Sequence, residues 1–172
     1  MNRNYLLAIV LVAPAVALAQ GKPNDPQIAH IVVTANQIDI DAGKLAKSHT
    51  KNKEVQAFAQ QMITDHSAVN KQAGALASKL GVKPENNDTS KALKKDAEEN
   101  LANLKKLKGG QFDKAYIEHE VAYHQQVLDA IDKVLVPSAQ NQELKDLIVK
   151  VRPAIQTHLD HAKHVQADLG KK

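Results

Sequence analysis

Apolar side chains recur along this chain in steps of three and four, the spacing that lines them up on one stripe of a helix. The clearest run covers residues 112–135, where Ile117, Val121, Leu128, Ile131 and Leu135 share a stripe. His124 takes the place between Val121 and Leu128 that the pattern reserves for another aliphatic. Three further long helices are predicted. Asp25-Pro26 starts one that carries Ile28, Ile31, Val32, Ala35, Ile38, Ala42 and Leu45 to about Ser48; Asp suits the cap and Pro the first turn. Asn52 caps a second helix, striped by Val55, Phe58, Met62, Val69, Leu76 and Leu80 and closed by Gly81. Ser138 or Asn141 begins the last, with Leu144, Ile148, Val151, Ile155, Leu159 and Val165, ending at Gly170.

A shorter helix is predicted from Thr89 or Ser90 through Leu93, Ala97, Leu101 and Leu104, and its Lys- and Glu-rich outer face reads as solvated. No segment sustains strand alternation. The reading is all-α: an up-down four-helix bundle with an additional shorter helix between the two hairpins.

Three of the four stripes carry a histidine where an apolar residue belongs: His66, His124 and His158. On the first helix the counterpart is Asp39, at the stripe's edge. A buried polar group without a partner costs about 1–3 kcal/mol, so each imidazole needs either a hydrogen bond or an ion. Glu120 and His124 are four apart on one face, a spacing that suits shared coordination of a metal and also a simple hydrogen bond; His158 and His161, three apart, are adjacent on the surface of the last helix. Asp65 cannot face the core squarely beside His66, so it bonds locally or across to another helix.

Depth along the bundle then sorts the pairs. A turn near Pro137 sets His158 level with Ile117 and leaves roughly 10 Å between His158 and His124. Glu120 with His158 is thus the expected cross-helix pair, with His124 joined through Glu120. A first turn near residues 48–51 sets His66 level with Val33 rather than Asp39.

The first residues, MNRNYLLAIVLVAPAVALA, have a basic start, an apolar run and a small-x-small site. They read as a signal peptide over 1–19, leaving a single helical domain over 20–172 that is periplasmic or secreted, with no membrane span after cleavage. The chain has no Cys, so neither a disulfide nor a lipidated cysteine is available. Net charge is +4 and the lysines are interleaved with acids. Without a basic face or stacking aromatics, nucleic-acid binding is not expected.

Three phrases together, NQIDIDAGKLAKSHTKNKEVQAFAQQMITDHSAVN, FDKAYIEHEVAYHQQVL and RPAIQTHLDHA, resemble the exported bacterial domain-of-unknown-function family numbered forty-one forty-two, whose members are grouped with ferritin-like bundles and often labelled outer membrane proteins. The resemblance implies a ferritin-like fold and brings no established activity. An all-helical chain offers no barrel strands to support the membrane label. The wider superfamily's di-iron set uses a Glu on two helices and a Glu-x-x-His on the other two. Here Ile63 stands three residues before His66, and His158 three before His161, so two carboxylates of that set are missing.

These features frame three functions. The first is an exported structural or interaction module, with an unidentified protein partner, whose seam histidines form hydrogen-bond networks. The alternative is a ferritin-like protein binding a divalent metal (Zn, Fe, Mn or Ni) through Glu120, His124, His158, His66 and His161; imidazole and carboxylate suit such ions, while a chain without Cys does not suit Cu(I). An enzyme is the third and is not expected, because no nucleophile elbow, phosphate loop or H-E-x-x-H motif is present.

Overall fold

The computed structural model describes residues 21–171, so the signal-peptide reading lies outside the described residues. The chain runs α1 (Asp25–His49), α2 (Lys53–Leu80), α3 (Asp88–Leu104), α4 (Gly109–Ala130), a π-helical segment (Ile131–Leu135), a single turn α5 (Val136–Ser138) and α6 (Gln142–Leu169). There is no strand among the described residues. The two hairpins, α1 with α2 and α4 with α6, pack into a four-helix bundle, and α3 lies against α1. No helix among the described residues is long and apolar enough to cross a membrane.

Local chemistry sets the boundaries. Asn24, not Asp25, caps α1: its side chain accepts from Gln27 N–H while the Gln27 side chain answers to Asn24 N–H, satisfying two otherwise unpaired amides. Asp25 is thereby free to accept from Gln140 and Asn141 N–H at 2.8 and 2.9 Å, tying the start of α1 to the second turn. Asn87 caps α3, two or three residues before the Thr89 or Ser90 suggested by the pattern, since Ser90 sits at the third helical position and returns the bond. Gly81 ends α2 in the left-handed conformation, φ 64°, which glycine adopts without steric cost. Arg152 on α6 forks onto both oxygens of Asp132 at 2.6–2.7 Å and clamps the π-helical segment to its partner helix.

Two apolar clusters fill the bundle. One, with Val55, Phe58, Met62, Phe112, Tyr116 and Ile117, lies towards the α1–α2 turn. The other, with Ile28, Leu128, Leu135, Leu144, Ile148 and Leu159, lies towards the α4–α6 turn. The polar seam residues occupy the layer between them.

At Gly43 α1 and α2 approach closely: a Cβ there would sit 2.9 Å from the Ala59 carbonyl oxygen and 3.1 Å from Ile63 Cγ1. A backbone oxygen cannot swing aside. Gly43→Ala is therefore expected to destabilise by about 1–3 kcal/mol, outweighing alanine's better helix propensity. A thermal melt should fall by about 3–10 °C; an unchanged or higher melting temperature would show that the helices can part at no cost.

Candidate metal centre

His66, His124 and His158 come together at mid-bundle, one each from α2, α4 and α6, with side chains at most 3 % exposed. Their ring centroids are 5.1–5.7 Å apart. Helix α1 brings Asp39, and α4 brings Glu120 one turn before His124; both carboxyls are buried. Two overlapping sets, His66–His124–His158 and Asp39–Glu120–His124, each have candidate ligand atoms within 4.8 Å of one another. All four bundle helices therefore contribute.

Each imidazole is held by its other nitrogen. His124 Nδ1 lies 2.9 Å from the Glu120 carbonyl oxygen, an atom that can only accept, so Nδ1 carries the proton and Nε2 the lone pair. His66 Nδ1 lies 2.7 Å from Asn36 Oδ1, and the Asn36 amide nitrogen donates to Val32 O, which fixes which end of the amide meets the ring. His158 Nε2 donates to Asp65 Oδ2 at 2.9 Å. The remaining nitrogens, His66 Nε2, His124 Nε2 and His158 Nδ1, are buried and have no hydrogen-bond partner within the protein. The same holds for Asp39 Oδ1 and both Glu120 carboxyl oxygens. Outer partners that fix tautomer and ring orientation while leaving the inward lone pairs bare are the usual surroundings of metal-ligating histidines.

Burial governs the charge state. Desolvation pushes Glu120 up to about 8 and holds Asp39 well above the ordinary carboxylate range, with the neighbouring Glu120 charge adding to the latter. Desolvation also takes His66 down to about 2 and His124 to about 4, the adjacent imidazoles contributing. His158 is lowered less freely, since the Asp65 carboxylate opposes its desolvation. At neutral pH three uncharged imidazoles thus face a Glu120 carboxyl that keeps its proton, with Asp39 raised beside it. The Tyr116 hydroxyl, buried near Glu120, is pushed up by desolvation and by the two carboxyls.

Compared with the sequence reading, His66, His124, His158 and Glu120 converge, whereas His161 does not enter either cluster. His161 Nδ1 pairs with Gln61 Oε1 at 2.9 Å and its ring packs edge-on to Phe58. The depths of these residues differ from that expectation in both hairpins. The distance of roughly 10 Å foreseen between His124 and His158 is 5.5 Å between ring centroids, because α4 continues through the π-helical segment and α5 and the reversal falls at residues 139–141, beyond Pro137. The first reversal likewise falls at 50–52, which sets His66 level with Asn36 and within 3.6 Å of Asp39. Sequence reasoning passed over Asn36, although it follows Val32 by four and precedes Asp39 by three, a polar position inside the apolar stripe. The Tyr123 hydroxyl donates to the Ala35 carbonyl at 3.3 Å.

Fold and core define an all-α, ferritin-like bundle with a buried imidazole–carboxyl layer. The chain belongs to the family described as Domain of unknown function DUF4142, which matches residues 11–165. It is also similar in fold to a solved structure described as a candidate secreted protein, DUF305, from Streptomyces coelicolor: TM-score 0.71 at 12% identity, covering 84% of this chain and 92% of that one. None of the curated proteins compared matches this chain.

Proposed function

We propose that this protein is an exported helical bundle that binds one borderline divalent metal ion at its centre. The observation that carries the reading is the orientation of three imidazoles: each spends one nitrogen on an outer partner and turns a bare lone pair inward. A bundle whose histidines served only as hydrogen-bond networks would leave those three nitrogens without a protein partner, at about 1–3 kcal/mol for each that no water reaches. His66 Nε2, His124 Nε2 and His158 Nδ1 are the primary ligands, with Glu120 and Asp39 supplying oxygen and balancing charge. Three imidazoles with carboxylate suit Zn, Fe, Mn or Ni. An ion there would act as a Lewis acid or as a structural cross-link between α2, α4 and α6. Export is supported by the signal-like first residues and by the secreted description of the structural relative.

The test is metal content of the processed chain, purified without a histidine tag, after zinc loading and dialysis. One ion per chain is expected, and no retained ion would refute the reading. Asp65→Ala, at a half-exposed position away from the cage, should keep the fold but weaken zinc by about 10–100-fold, because His158 loses the acceptor that fixes its tautomer. Unchanged affinity in that variant would show that His158 is not a ligand.

A further inference from the structure

Beyond the metal layer, towards the α4–α6 turn, the bundle is open on the side where α3 crosses. A cavity of about 1010 Å³ lies there, bounded by α1, α3, α4, the π-helical segment and α6. Small-molecule sites occupy roughly 300–1,000 Å³, so this one stands at the top of that range. Its floor is aliphatic, with Ile31, Ile131, Leu135, Ile148 and Ile155 all buried yet lining it. It reaches along α1 from Gln27 to Asn36, nine residues or roughly 14 Å, so it is elongated. None of the metal-layer ligands lines it; Asn36 and Tyr123 close its inner end.

Two independent features make this more than a gap between helices. The first is the π-helical segment, which supplies Ile131, Val134 and Leu135 to the wall. An extra residue per turn sacrifices regular hydrogen bonding, and such turns concentrate where a helix must be shaped around a site. The second is the charge of the polar mouth. Lys22, Lys91 and Lys133 line it together with Asp88 and Asp129. Lys91 pairs with Asp88 at 3.2 Å and Lys133 with Asp129 at 3.1 Å. Lys22 has no ion-pair partner among the described residues, so the mouth carries one uncompensated positive charge.

We propose that this cavity binds a long-chain fatty acid or an amphiphile of that chemistry, with the hydrocarbon chain on the aliphatic floor and the carboxylate at the Lys22 side of the mouth. Burying a chain there removes apolar area from water on both ligand and wall, the term that dominates binding in such sites. The head needs only to stay wet and near a cation. The proposal is independent of metal occupancy, since it uses none of the cage residues.

The experiment is a fluorescence titration of the processed chain with parinaric acid, with displacement by oleate and by oleyl alcohol. The chain has no Trp, so no indole emission competes. Saturable one-to-one binding is expected, with both competitors displacing the probe. Ala130→Phe, at a half-buried wall position, fills the cavity and should weaken both competitors at least tenfold. Lys22→Glu, on the exposed mouth, should weaken oleate by roughly two- to fivefold and leave oleyl alcohol unchanged. Melting curves confirm that both variants fold; should Ala130→Phe not fold, the Lys22→Glu comparison decides alone. No saturable binding, or equal loss of both competitors in Lys22→Glu, overturns the proposal. So does sedimentation showing that two copies cover this face and that fatty acid does not part them.

Discussion

His124→Ala should lose its ion and, with it, the metal-dependent part of the protein's stability. His124 is the one residue common to both donor sets, and its Nε2 faces the cage without a protein partner. Removing an outer partner of a ligand typically costs 10–100-fold in affinity, so removing this ligand should cost about a hundredfold or more. At zinc about a thousand times its dissociation constant, the wild-type chain gains about 4 kcal/mol. For a domain of this size that is about 8–16 °C in melting temperature. At the same zinc a hundredfold weaker site gains only about 1.4 kcal/mol, so the variant should show about a third of that rise or less. In chelator the two proteins should melt much closer together, because the substitution opens a hole but also removes an unpaired buried nitrogen. His164→Ala, at an exposed position on α6, should behave as wild type in both conditions. If His124→Ala keeps the full zinc-dependent rise, the ion sits elsewhere.

The metal-free chain should be most stable near pH 6.5 and lose stability on both sides. On the acid side the cause is the histidines. Their folded values are lowered, to about 4 for His124 and about 2 for His66, against an ordinary 6.5. The unfolded chain therefore takes up protons that the folded one refuses, and stability falls as pH drops below 6.5. On the alkaline side the cause is the carboxyl pair. Glu120 is raised from 4.5 to about 8 and Asp39 is raised too, so the unfolded chain has ionised while the folded one still holds its protons. Stability contributed by these groups is complete at low pH and is lost as pH rises towards 8. Between 4.5 and 6.5 the two effects oppose each other; His158 is lowered as well and adds to the imidazole side, which places the maximum near neutral. Glu120→Gln, neutral at every pH, should flatten the alkaline limb and leave the acid limb in place. Denaturant titrations in chelator from pH 5 to 9 measure this. An alkaline limb that persists unchanged in Glu120→Gln would mean that Glu120 is not the titrating group. Added zinc should stabilise more as pH rises, since the dication replaces protons the carboxyls must shed.

How far the molecule could be read from its sequence differs by level. Helix identity was legible because apolar steps of three and four, Asn52, Gly81 and Asn141 are local signals that tertiary packing did not override. The seam histidines were legible for the same reason: a polar residue inside a stripe stands out against its neighbours. Register was not. It depends on where each reversal is centred, and a π-helical turn in 131–135 has no residue signature that separates it from ordinary helix. A reversal displaced by a few residues moves facing side chains by a helical turn, enough to hide Asp39 and Asn36 from His66 and to hold His158 apart from His124 on paper. Caps shift more gently: Asn24 won over Asp25, and Asn87 over Thr89 and Ser90, because an amide side chain could reach the third helical N–H. The wide cavity beside α3 was also invisible, since its aliphatic wall residues are the same ones that mark a closed core.

The central claim is that three inward imidazole nitrogens hold one ion. Anomalous diffraction at the zinc edge, from crystals of the zinc-loaded protein, tests it most directly. The account predicts a single strong peak bonded to His66 Nε2, His124 Nε2 and His158 Nδ1, with oxygen from Glu120 or Asp39. Peaks confined to surface histidines such as His49 or His164, with the central layer empty, would contradict it.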